Sequence, residues 1–140
     1  MNVLLSIKPK YVREILKGEK KYEFRRSIFR YREEIEMVYI YSTSPVKKIV
    51  GRFTIDEVIE DHPKNLWKSF RDFSGIEGEE FFSYFGDAEK GFAIKIENVE
   101  VFKEPIDPKV YIPDFVPPQS FRYIEEDWGC EFGENEKEKT

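Results

Sequence analysis

The sequence predicts an α+β domain: a mostly antiparallel sheet, closed or nearly closed into a barrel, with short flanking helices. Three observations predict it. Strand-like segments follow one another without the regular strand–helix–strand alternation that builds a parallel sheet. Two of them, 47–59 and 92–102, are long for strands, and each carries an irregularity in its inward-facing pattern. Such irregularities turn a strand around a barrel corner. Only three short stretches show helical spacing of apolar residues.

Val3 to Ile7 is an apolar strand, and Pro9 stands at the first helical position, where its missing N–H costs nothing. Tyr11, Val12, Ile15 and Leu16 give that helix an apolar stripe, and Gly18 stops it. Lys21 to Arg26 alternates strictly, Tyr22 and Phe24 to one side, Glu23 and Arg25 to the other. A charged loop, 27–36, precedes the strand Met37–Tyr41, in which Val38 and Ile40 oppose Tyr39 and Tyr41. Ser42 to Pro45 makes a turn. In the long strand that follows, Ile49, Gly51, Phe53 and Ile55 share a face, and Gly51 marks a bend or bulge. Helices are expected over 63–73, with Leu66, Trp67 and Phe70 inward, and over 76–85, with Phe81, Phe82 and Phe85 inward. The strand from Phe92 slips parity between Ile96 and Val99, which puts Val99 and Val101 on the core side. Residues 105–118 are punctuated by prolines and should wrap the surface. Phe121 to Ile124 forms a final short element, and 131–140 is a polar, acidic tail expected to be disordered.

The 140 residues fit one domain. We expect the barrel in 1–103 and a C-terminal wrap on the same domain in 104–130. No apolar run is long enough to span a bilayer and no signal-peptide pattern stands at the start, so a cytoplasmic protein with no membrane partner is expected. One cysteine, Cys130, excludes an internal disulfide, and one histidine, His62, excludes a multi-histidine metal site. No Gly-rich phosphate loop or nucleophile elbow is present. No metal or cofactor is expected.

Charge is distributed unevenly. Residues 1–52 hold thirteen Lys and Arg against six Asp and Glu, a balance of +7; residues 53–140 hold ten against twenty-two, a balance of −12. A basic half suits an anionic partner. Mixed Lys and Glu surfaces of thermophile type give the same composition without one.

The chemistry concentrates between Ser6 and Arg32. Ser6 and Lys8 end the first strand beside a helix N-terminus, where free N–H groups attract anions. Lys20, Glu23 and Arg25 follow within a strand's reach, Glu23 and Arg25 about 7 Å apart on one face. A carboxylate among cations stays ionised and can accept from a base N–H while a lysine or arginine holds a phosphate. The bland alternative is a surface ion-pair strip of little energetic weight. Arg26, Arg30 and Arg32, interleaved with Phe29 and Tyr31, suit single-stranded nucleic acid, whose bases stack on rings and guanidinium planes; the alternative is a charged loop anchored by its aromatics. Lys47, Lys48 and Arg52 extend such a patch. Ser42, with Thr43 and Ser44, can hydrogen-bond a ligand from the turn, although hydroxyls there usually serve the turn itself. Gln119, Ser120, Phe121 and Arg122, after Pro117-Pro118, can close over a cleft. Glu77, Glu79 and Glu80 suit a helix start, and one of them could serve as a catalytic carboxylate.

The run Ser6-Ile7-Lys8-Pro9, the spacing Gly18-x-Lys20-x-x-Glu23-x-Arg25, the strand Lys21-Tyr22-Glu23-Phe24-Arg25 and the strand end Tyr41-Ser42 resemble the ASCH family, a branch of the PUA-like barrels. The resemblance covers residues 1 to about 103. It implies a PUA-like β-barrel with a cleft between the barrel and the first helix, and RNA as partner. One small ASCH group hydrolyses N4-acetylcytidine with a Lys, a Thr and a Glu. Lys20 matches that lysine, Glu77, Glu79 and Glu80 are candidates for the glutamate, and Glu23 stands where the threonine would be. The expected function is binding of RNA or a modified nucleotide by Ser6, Lys8, Lys20, Glu23, Arg25, Arg26, Arg30, Arg32 and Ser42. Two alternatives stand beside it: an amidohydrolase of N-acylated bases that uses Lys20, and a transcription or translation regulator that acts through a protein partner.

Overall fold

The structure, a computed structural model, describes residues 1–128, so the tail expected over 131–140 lies outside the described residues. Nine main elements follow in order: β1 (Asn2–Ile7), α1 (Pro9–Leu16), β2 (Tyr22–Arg25), β3 (Val38–Ser42), β4 (Lys48–Asp61), α2 (Pro63–Phe70), α3 (Gly78–Phe85), β5 (Gly91–Ile106) and β6 (Phe121–Ile124). The six strands form one mixed sheet in the order β2-β5-β4-β3-β1-β6, curled into a half-barrel. All pairings are antiparallel except β1 with β3, where Val3 lies opposite Val38 and Ile7 opposite Ser42.

Every residue of β1 is buried, because both faces of the sheet are covered there. Alternation sorts its side chains. Val3, Leu5 and Ile7 join Val38, Ile40, Phe53 and Ile94 under α1, which contributes Val12 and Ile15. Leu4 faces the other way, with Tyr39, Tyr41, Ile49 and Trp128. A third cluster, Phe24, Leu66, Phe81, Phe85 and Ala93, seats α2 and α3 against β2 and β5.

Gly51 sits at the expected irregularity in β4. The register to its neighbours shifts between Ile49 and Gly51, and a Cβ here would lie 2.6 Å from the Glu100 carbonyl oxygen. Two further shifts along the β4–β5 pair undo the simple parity of β5. As a result Val101, expected inside, is 54% exposed, while Phe102 and Ile106 point into the core. Phe82 is likewise 41% exposed beside Trp67, because α3 turns only Phe81 and Phe85 fully inward.

The segment after β5 does more than wrap the surface. Ile112 and Phe115 are buried, and Trp128 is 1% exposed, its ring edge-on to Tyr39 at 5.2 Å. Arg52, expected in a basic patch, is instead buried here, its Nε bonded to Glu100 at 2.7 Å and its Nη1 to Asp127 at 3.3 Å.

Candidate functional site

Parallel pairing brings the C-terminal ends of β1 and β3 to the same end of the sheet, and β1 runs straight into α1. A cavity of about 570 Å³ opens there. Ser6, Ile7 and Lys8 leave β1 along one side; Lys10 and Tyr11 of α1 and Glu80, Ser83 and Tyr84 of α3 form facing walls. Lys20, Glu23, Phe24 and Arg25 supply another side, and Thr43, Ile76, Pro118 and Gln119 complete it.

Lys20 is delivered by the end of α1. Gly18 adopts φ +81°, a left-handed conformation suited to glycine, and the Lys20 N–H bonds to the Glu14 carbonyl at 3.0 Å. The side chain is 2% exposed. Its Nζ donates to the Ser74 carbonyl, stands 3.5 Å from Glu23 Oε1, and lies 5.4 Å and 5.5 Å from the ring centres of Tyr11 and Phe24. Gly75, at φ +62°, presses on the carbon stem: a Cβ there would meet Lys20 Cβ at 3.1 Å. Burial lowers the amine's pKa from its ordinary value, and Glu23 opposes the shift.

Glu23 is 5% exposed, with its Oε2 accepting from Arg25 Nη1 at 3.1 Å. Arg25 is committed elsewhere as well. Its Nη2 donates to the Ser120 carbonyl at 2.9 Å and to the Ser6 carbonyl at 3.2 Å. Ser6 Oγ donates to the Pro118 carbonyl at 2.7 Å. Ser6 and Arg25 thus hold the 118–120 segment in place as a wall. Across the cavity Glu80 accepts from both Lys10 Nζ and Tyr11 Oη, which ties α3 to α1.

The structure therefore gathers Ser6, Lys8, Lys20, Glu23 and Arg25 around one space, along with Gln119 and Glu80. Arg26 lies beside it, its guanidinium 4.8 Å from the Tyr84 ring centre and its N–H donating to Tyr84 Oη at 2.9 Å. Arg30 and Arg32 stand away from the lining: the Arg30 N–H bonds Tyr123 Oη at 2.7 Å, and the Arg32 guanidinium lies 5.9 Å from the Phe92 ring centre. Ser42 is buried within β3 and does not line the cavity, whereas its neighbour Thr43 does. Sequence reasoning missed Lys10, Ser83 and Tyr84 and read Tyr11 only as core. The spacing of Glu80, Ser83 and Tyr84, three and four residues apart, puts them on one helical face and could have found them. The Ser74 carbonyl carries no sequence signal.

The curled six-stranded sheet with one parallel pair and a first helix beside a cavity is a fold shared with solved ASCH structures, as the opening motifs led us to expect. The chain superposes with a TM-score of 0.84 on the crystal structure of a single-residue variant of the ASCH protein of Zymomonas mobilis, at 23% identity, over 93% of this chain and 92% of that one. For the unsubstituted protein the TM-score is 0.81 at 24% identity, over 89% and 88% of the two chains. The chain belongs to the family described as a domain of unknown function (DUF365), which matches residues 1–124. It is also 26% identical over 127 residues, 86% of this chain and 82% of the other, to a protein of Zymomonas mobilis subsp. mobilis named an ASCH domain-containing ribonuclease. Among the described residues no helix is long and apolar enough to cross a membrane.

Proposed function

We propose that this protein binds single-stranded RNA and takes one nucleotide into the cavity between α1 and the barrel. The observation that carries the reading is the cavity itself: about 570 Å³, with a buried lysine and a buried glutamate facing it. That volume lies within the ~300–1,000 Å³ range of small-ligand sites. Its walls combine apolar groups with a few convergent polar ones, the usual composition of such sites. Lys8 at the mouth, Arg26 beside Tyr84, and Arg30 and Arg32 in the neighbouring loop would hold phosphates of the strand. The name of the Zymomonas relative supports RNA as the polymer. Fluorescence anisotropy with a short single-stranded RNA tests the reading. Log affinity should fall linearly with log salt, with a slope of about −0.7 per phosphate neutralised. Lys8→Ala combined with Arg26→Ala should weaken binding several-fold and flatten the slope. A salt-independent affinity, or one unmoved by the double substitution, would sink the reading.

A second reading is hydrolysis in the same cavity. It is favoured by a buried amine of lowered pKa beside the Glu23 carboxylate, in a cavity that Glu80 also lines. Burial makes Lys20 give up its proton more readily than a free lysine, and the neutral form of such an amine can accept a proton from an attacking hydroxyl. Incubation with single-stranded RNA, followed on a denaturing gel, and with N4-acetylcytidine, followed by chromatography, should give product with one substrate and none with Lys20→Gln. No turnover of either removes this reading and leaves binding intact.

A further inference from the structure

Resting on the RNA reading, we propose that the cavity admits the nucleotide base first. Lys20 donates to an acceptor on the base edge, and Glu23 Oε1 accepts from the N–H next to it. The sugar and phosphate remain at the mouth.

A lysine ammonium has three N–H donors. In Lys20 one goes to the Ser74 carbonyl and one faces Glu23 Oε1 at 3.5 Å, beyond a strong hydrogen bond. The third has no oxygen partner and lies over the rings of Tyr11 and Phe24, in a residue that lines the cavity. Glu23 divides its oxygens unequally. Oε2 takes Arg25 at 3.1 Å, while Oε1 has only the long contact with Lys20. The floor therefore offers a donor beside an acceptor whose mutual contact, at 3.5 Å, is long enough for a ligand to compete for both. Both belong to side chains more than nine-tenths buried, and both are held rigidly, the lysine stem against Gly75 and the carboxylate against Arg25.

A phosphate fits this floor poorly. It would sit against a buried carboxylate, and the two terminal nitrogens of the Arg25 guanidinium are already engaged with Glu23, Ser6 and Ser120, which leaves only its buried Nε without a partner. A flat ring with an acceptor next to a donor fits well. Each base has such a pair on its pairing edge: O4 and N3–H in uracil, N3 and N4–H in cytosine, N1 and N6–H in adenine, O6 and N1–H in guanine. The walls suit the rest of the ring, with Tyr11 and Tyr84 on facing helices and Ile7, Ile76 and Pro118 between them. Exposed Lys8 stands outside this floor, where a phosphate would remain hydrated. The floor thus recognises an edge pattern shared by all four bases, which excludes paired bases and bases blocked on that edge.

The test compares a uridine hexamer with a hexamer of 3-methyluridine, which keeps charge, sugar and ring but lacks the N3–H. Both are titrated against the full chain by anisotropy at one salt concentration. The expected result is at least tenfold weaker binding of the methylated hexamer. Inorganic phosphate should not displace the uridine hexamer beyond the effect of ionic strength. Lys8→Ala should weaken both hexamers by the same factor and leave their ratio unchanged. Equal affinity for the two hexamers, or specific displacement by phosphate, overturns the inference and leaves the RNA reading standing. If neither hexamer binds, both fall.

Discussion

The Lys20 ammonium has exchanged water for one backbone carbonyl, a carboxylate at 3.5 Å and two ring faces. Its lowered pKa, caused first by burial, has a consequence for stability. The unfolded chain titrates this amine near 10.5, the folded chain below that. Between the two values the unfolded state binds more protons, so stability rises with pH across that window and levels off above it. The rise should shrink in Lys20→Met, a difference that urea unfolding from neutral pH to about 10.5 would read. Equal pH profiles for the two proteins would contradict the assignment. Single residues were only partly legible in the sequence. The spacing after Gly18 placed Lys20, Glu23 and Arg25 on one site, because a helix stop followed by an alternating strand leaves few arrangements. The partners were hidden. Ser74 lies 54 residues from Lys20, and Ser120 lies 95 from Arg25. No local pattern encodes contacts at that distance, least of all those to backbone carbonyls.

Among the elements, β2 is an edge strand hydrogen-bonded only to β5, and β6 closes the opposite edge. Arg25 spans the gap between them, reaching from β2 to the Ser6 and Ser120 carbonyls. Removing it takes a donor from the Ser6 and Ser120 carbonyls, the latter keeping the Ser6 N–H at 2.9 Å, and strips Glu23 of its closest cation. Arg25→Met should cost roughly 3 kcal/mol, the scale of breaking a buried ion pair from one side. Hydrogen exchange at residues 120–124 should accelerate well beyond that at β3; uniform acceleration would argue against the clamp. Gly51→Ala should cost about 1–3 kcal/mol, since the added methyl meets the Glu100 carbonyl at 2.6 Å and backbone must move. Denaturant midpoints would show it. Periodicity located the strands and helices because their apolar faces repeat cleanly. It failed at Val101, where successive register shifts reset which side faces inward, and at Phe82, because an eight-residue helix on one surface buries a narrower stripe than its three phenylalanines suggested.

For the whole molecule, the second core cluster depends on the last described residue. Trp128 fills a space between Tyr39 and Tyr111, and Trp128→Ala should cost about 3–5 kcal/mol, seen as a large fall in Tm. A loss under about 1 kcal/mol would mean the indole is dispensable. Sheet order was the least legible property. β1, α1 and β2 are consecutive, yet β2 pairs at the far edge with β5 while β1 pairs with β3. Strand patterns reveal faces, and the choice of neighbour is made by the curl of the entire sheet. The wall held by Ser6 and Arg25 gives this order a temporal meaning. During synthesis the floor residues emerge by position 25, whereas Pro118 and Gln119 follow some ninety residues later. A nascent chain therefore exposes its buried charges to water for most of its elongation, and the cavity comes into being only as the last strand docks.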